Sequence, residues 1–173
     1  MEAGYHGGFG STKGRKAFAA MGAGDTSFMG NQQVFLQNIK RRKDVDPDGK
    51  FDVIAHGTSN SIEFEHNGTT LKLNSRNAAK LIKANKDYHG QDIRLLSCNT
   101  GSTPYGFAQN LANKLNVTVW APNNYLWAYQ NGSYVIANKN SNGDGPGSSK
   151  GKFIKFVPGG HKKWVNVLNA VRN

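Results

Sequence analysis

Between residues 51 and 121 lie three short apolar runs, FDVIA, IRLL and VTVWA, each separated from the next by a stretch of helical periodicity. This alternation limits the fold more than any other feature. Runs that are apolar at nearly every position suit strands covered on both faces, whereas half-buried strands alternate. Strands joined through helices must run parallel, with right-handed crossovers. The expected fold is α/β: a three-layer sandwich with a mainly parallel central sheet and β-hairpin insertions.

The first helical stretch, NSRNAAKLIKAN, begins at an Asn74 or Ser75 cap and gathers Ala78, Ala79, Leu81 and Ile82 on one face. In the second, TPYGFAQNLANKLN, Thr103 can cap, Pro104 fits the first helical position, and Phe107, Leu111 and Leu115 recur every fourth residue. Two Asn-Gly pairs, Asn67-Gly68 and Asn131-Gly132, predict hairpins in SIEFEHNGTTLKLN and YLWAYQNGSYVIAN. Elsewhere NQQVFLQNIKRRK predicts a short helix, NSNGDGPGSSKGK a flexible loop, KFIKFVP a late strand and HKKWVNVLNAVR a closing helix. Residues 1–30 hold eight glycines and little apolar periodicity, so they read as an irregular arm, with 31–173 forming one domain.

Charge narrows the partners. The formal net charge of +11, from 22 Lys+Arg against 11 Asp+Glu, favours polyanions such as nucleic acid, anionic membrane or inositol phosphates. The dense run KRRK at 40–43 also reads as a solvated helix end. A single cysteine excludes an internal disulfide and a cysteine-based zinc site, and the five histidines show no H-x-x-x-H spacing, so no metal is expected. No apolar run approaches the roughly 20 residues of a membrane span, and MEAGYHGGFG lacks a signal peptide's apolar segment.

The chemistry gathers at two strand ends. His56 and Gly57 close KFDVIAHG, and Cys98 closes DIRLLSC. In an open parallel sheet the loops leave from the carboxyl ends of the strands, about 4.8 Å apart, so an imidazole and a thiol there can share one substrate atom. A free thiol, with a pKa of about 8.5, needs such a base to become a nucleophile. Gly57 leaves its amide open to a substrate carbonyl, and with the amide of Cys98 it forms a candidate oxyanion hole. Taken singly, Cys98 also reads as a small buried hydrophobe and His56 as a loop residue. Trp120, Asn123, Asn124, Tyr125 and Trp127, following the third strand, are candidates for the substrate pocket, with core packing and turn chemistry as the alternative.

The pair DVIAHG and IRLLSC resembles the signature of the caspase-like (clan CD) cysteine peptidases. The likeness is nearest to the inositol-phosphate-activated peptidase domains of RTX toxins and large clostridial toxins. Those domains also run from His-Gly through a hairpin and helix to a strand ending in Cys, then to a helix opened by Gly-Phe, as Gly106-Phe107 does here. The resemblance covers residues 50 to 137, and SCNTGSTPYGFAQNLANKLNVTVWAPNNYLW is also similar to C-terminal modules of bacterial polymorphic toxins of the Rhs and filamentous-haemagglutinin type.

The resemblance implies a caspase-like domain and a cysteine endopeptidase, with His56 as general acid/base, Cys98 as nucleophile, and the Gly57 and Cys98 amides as oxyanion donors. It further implies a toxin or effector domain secreted or delivered from a bacterium, acting in a target-cell cytosol on protein or peptide, with a cognate immunity protein as partner. No cofactor is required by it. Lys150, Lys152 and Lys155 fall where those relatives carry an activating flap, which admits inositol hexakisphosphate or another polyanion as activator beside the plainer reading of a solvated strand edge. Asp52 or Asp25 would be the carboxylate that orients the histidine. The rival reading is a basic nuclease acting on tRNA or DNA with a structural cysteine; a silent module binding an anionic partner is the third.

Overall fold

The computed structural model describes residues 8–11, 32–44, 49–66, 69–85 and 87–160. The closing helix expected over 161–172, and the proposed orienting residue Asp25, lie outside the described residues.

The chain is a mixed α/β protein. Its main sheet has five strands: β1 (Gly8–Ser11), β2 (Phe51–Ile54), β6 (Ile93–Leu96), β7 (Val119–Pro122) and β11 (Phe153–Phe156), in that spatial order. The three apolar runs form β2, β6 and β7, paired in parallel, while β1 and β11 close the two edges antiparallel. Within the arm expected to be irregular, residues 8–11 thus add a strand: backbone pairing with β2 needs no apolar periodicity, which is why composition did not reveal it.

Period-two alternation divides the central strands between two cores. Phe51, Val53, Ile93, Leu95 and Val119 pack with the buried faces of α2 (Ser75–Ala84) and α3 (Phe107–Leu115). Ile54, Leu96 and Cys98 face the other way, against Phe35 and Ile39 of α1 (Gln32–Lys40) and Leu126 and Ala128 of β8 (Tyr125–Ala128). Asn74 caps α2 by accepting the Asn77 N–H at 2.9 Å. Helix α3 starts at Phe107 with Gly106 as its cap, not at Pro104, because residues 103–106 are spent in a turn, Gly106 N–H donating to Thr103 O.

Both hairpins form. The first pairs β4 (Ile62–His66) with β5 (Thr69–Leu73), and joins a two-residue strand β3 (His56–Gly57) in a small sheet. Ile62 and Leu73 sit opposite one another and are buried, whereas Leu71, towards the tip, is exposed. The second joins β8 to β9 (Tyr134–Lys139) through residues 129–133, with Gly132 in the left-handed region at φ +86°. Within the stretch expected to be a flexible loop, residues 146–150 instead form a strand, β10 (Pro146–Lys150), paired antiparallel to β9. Its Gly/Ser composition marks an exposed edge whose order comes from backbone pairing, set up by Asn140 and Asp144 bonded across the preceding turn.

The basic run is more than a solvated helix end. Lys40 and Arg41 are exposed, but Arg42 is buried and bonds to Asp52 of β2, which also accepts Arg94 Nε and Nη2, both at 2.8 Å. Burial works against the Arg94 charge, yet the bonds to Asp52 outweigh it and raise the guanidinium's pKa above its ordinary value. Asp44 extends the network to Arg94 and to the Tyr134 hydroxyl, whose pKa is raised by burial first and by that bond next. No helix among the described residues is long and apolar enough to cross a membrane.

Candidate functional site

The site is built where β2 and β6 end. Ile54 pairs with Leu96 in parallel register, so His56 and Cys98 each stand two residues past a matched pair. Beyond Leu96 the chain turns sharply. Thr100 Oγ1 donates to Ser97 O, Ser102 N–H and Oγ both donate to Asn99 O, and Asn99 itself is left-handed at φ +59°. Two backbone bonds stitch this turn to the corner between β7 and β8: Asn99 N–H to Asn124 O at 3.0 Å and Gly101 N–H to Pro122 O at 2.8 Å.

Beyond Ile54 the chain leaves the sheet as β3 and doubles back through Thr58–Ser61 into β4. Thr58 N–H donates to Ser61 O, so ladder alternation makes Gly57 and Ile62 a non-hydrogen-bonded pair and turns the Gly57 N–H away from β4. Two glycines then let this hairpin dock. A Cβ on Gly57 would lie 2.5 Å from Cys98 O, and one on Gly106 would lie 2.4 Å from Ser59 O, which accepts the Phe107 N–H at 2.7 Å. The His-Gly and Gly-Phe pairs are therefore places where two backbones approach too closely for a side chain. Gly57→Ala is expected to lower the unfolding free energy by about 1–3 kcal/mol through this overlap, read from a denaturant titration. An unchanged midpoint would mean the hairpin and the Cys98 turn are not held against each other.

A cavity of about 560 Å³ opens between these walls. His56, Gly57, Thr58, Ser59 and Glu63 form the hairpin side; Asn99, Ser102 and Tyr125 face them. His56 is half-buried. Cys98 is not in the lining: it is 1% exposed, and its sulfur accepts the Leu126 N–H at 3.3 Å within the apolar cluster under β8. Tyr125 both lines the cavity and packs against that cluster.

The other expected pocket residues lie apart from the cavity. Trp127 is fully buried and donates Nε1–H to Ala137 O at 3.1 Å, so it is core of the second hairpin. Trp120 pairs across the sheet with Arg94 and Lys155 and carries the ammonium groups of Lys50 and Lys155 near its ring. Asn123 holds the strand approaching β11, its Oδ1 accepting the Lys152 N–H at 2.8 Å. Asn124 supports the site from behind, its carbonyl accepting from Asn99 and its Oδ1 accepting the Tyr125 N–H at 2.9 Å. Asp52 cannot orient His56, because both of its oxygens are occupied by Arg42 and Arg94, four residues back along the strand. Among the described residues no cluster of three or more His, Cys, Asp or Glu could hold a metal ion.

Residues 24–136 match the family described as domain of unknown function (DUF8616). The chain belongs to the DUF8616 family. The matched span of this DUF8616 domain takes in α1, the His56 hairpin, the Cys98 turn and most of the second hairpin, and ends before β10 and β11. No curated protein and no solved structure matches the chain.

Proposed function

We propose that this DUF8616 domain is a caspase-like cysteine hydrolase that cleaves a peptide bond, with Cys98 as nucleophile and His56 as general acid/base. The reading is supported above all by register: Ile54 opposite Leu96 brings His56-Gly57 and the Cys98 turn out of adjacent parallel strands at one height, beside an open cavity. Helices α2 and α3 on one face of the sheet, with α1 and β8 on the other, are compatible with the layering of that fold.

In this mechanism the Cys98 sulfur attacks the substrate carbonyl carbon while its proton passes to His56. The C–N bond then breaks, and His56 returns the proton to the departing amine. Water cleaves the resulting thioester, again through His56, restoring the thiol. Gly57 and Cys98 N–H groups are the oxyanion donors, and one such donor is commonly worth about 10²–10³ in turnover. Delivery as part of a bacterial toxin, an immunity partner and a polyanion activator near Lys150, Lys152 and Lys155 belong to the same reading, supported by sequence likeness. Phosphodiester chemistry at His56, the rival, calls for cations beside it; the described residues that line the cavity include Glu63 and no lysine or arginine.

Attack requires the sulfur to be reached, and Tyr125 is the side chain between cavity and thiol cluster. Iodoacetamide tests both points, because the chain has one cysteine and peptide mapping by mass assigns a carbamidomethyl group on it to Cys98 alone. Peptide hydrolysis is expected to fall in proportion to modification, and Tyr125→Ala to speed modification several-fold. Full hydrolytic activity in the fully alkylated chain would end the nucleophile assignment.

A further inference from the structure

The cavity's polar groups are unequally committed. Thr58 Oγ1 accepts the N–H groups of Asn60 and Ser61, and Ser102 Oγ donates to Asn99 O, so these hydroxyls are spent inside their own turns. Glu63 is different. It is the one acidic residue, with no lysine or arginine beside it, among the described residues lining the cavity, and no hydrogen bond or ion pair among them engages its carboxylate.

Its place is fixed by the small sheet. Glu63 stands mid-strand in β4, directly opposite His56 of β3 on one side and Lys72 of β5 on the other. Lys72 is exposed and makes no ion pair with it among the described residues. The strand is held in turn by the docking of Gly57 on Cys98 O and of Ser59 on the α3 terminus. Across the cavity stands Tyr125, an aromatic face that already accepts one ammonium, Lys139 Nζ lying 4.8 Å from its ring centroid.

A half-buried carboxylate without a partner among the described residues, faced by an aromatic ring, suits a cation. The contrast with the whole molecule sharpens this: a chain of net charge +11 repels cations at long range, so an acidic cavity wall acts only on a group brought into contact. We propose that the cavity selects its substrate by a cationic side chain, arginine-like or lysine-like, with Glu63 as the counter-ion. The identity of the bond cleaved rests on the peptidase reading; the cation site does not.

The probes are a blocked arginine amide and a blocked citrulline amide, which differ chiefly in charge, and two peptides that differ by the same exchange. By calorimetry, wild-type protein is expected to bind the arginine amide at least about tenfold tighter than the citrulline amide. The peptide kcat/KM ratio is expected to be about 10² in favour of arginine. In Glu63→Gln both ratios should fall to near one, and in Glu63→Lys below one, each variant being read only where its thermal midpoint matches wild type. Absence of discrimination in wild type, or discrimination that survives in both variants, overturns the proposal. Glu63-dependent binding with neither peptide cleaved leaves the cation site standing and removes the peptidase reading, whereas Cys98-dependent cleavage without preference does the reverse.

Discussion

Turnover of a cleavable peptide is expected to fall roughly 10⁴-fold or more in both Cys98→Ala and Cys98→Ser, because removing the nucleophile of a unit that acts together removes nearly all of its catalysis. The two variants should part in stability. Cys98 is 1% exposed and its sulfur accepts the Leu126 N–H at 3.3 Å. Alanine leaves that buried donor without its acceptor, at a cost of about 1–3 kcal/mol, while serine can keep one. For a chain of this size each kcal/mol corresponds to about 2–4 °C in the thermal midpoint. The alanine variant should therefore melt several degrees lower than wild type, with serine melting above it, while both are inactive. If activity instead tracks the folded fraction, with the serine variant turning over normally, Cys98 is a packing residue and the mechanism is wrong.

How far the chain could be read in advance depended on which force orders each part. The central strands were legible because FDVI and IRLL must be covered on both faces, and their carboxyl ends then follow from parallel topology. That reasoning put His56 and Cys98 each two residues past a pair of neighbouring strands, which is where the register has them. It could not give the rotamer of a buried thiol, which depends on β8 arriving over it from 28 residues further along the chain. Strands β1 and β10 were missed for one reason: edge strands rich in Gly and Ser are ordered by the neighbour's ladder and not by side-chain burial.

Glu63 was half legible. The Asn67-Gly68 pair in the sequence predicts a hairpin that sets Glu63 against Lys72, but its position opposite His56 depends on the short Thr58–Ser61 turn, which carries no Gly or Pro to announce a reversal. Trp127 was open to two readings, pocket wall or core, and the structure decides for core. An aromatic just past the third strand suits a pocket wall or a hairpin core alike; its indole N–H finds a carbonyl in the neighbouring strand and the ring fills the second hairpin's core.

Asp52→Ala is expected to bring the largest loss of stability, about 3–5 kcal/mol, because it strands two buried guanidinium groups without their shared counter-ion. Asp52 is fully buried, and Arg42 and Arg94 are 6% and 8% exposed. The remaining partner, Asp44, reaches Arg94 Nη1 at 2.9 Å but is itself about half exposed, so it neutralises little of the repulsion. Against a typical total of about 5–15 kcal/mol, such a loss can unfold the chain outright, and a denaturant titration with circular dichroism reads it. Replacing all three members by apolar residues (Asp52→Leu, Arg42→Met, Arg94→Leu) should recover most of the loss, since the desolvation cost of the charges disappears with them. A single Asp52→Ala variant with the wild-type midpoint would show that the network carries no net coupling. The consequence for the site is mechanical. Arg42 follows α1, Asp52 belongs to β2 and Arg94 to β6, so the network ties one helix end to the two strands whose register aligns His56 with Cys98. The triply apolar protein should therefore fold yet hold that register less strictly, losing turnover at nearly unchanged stability.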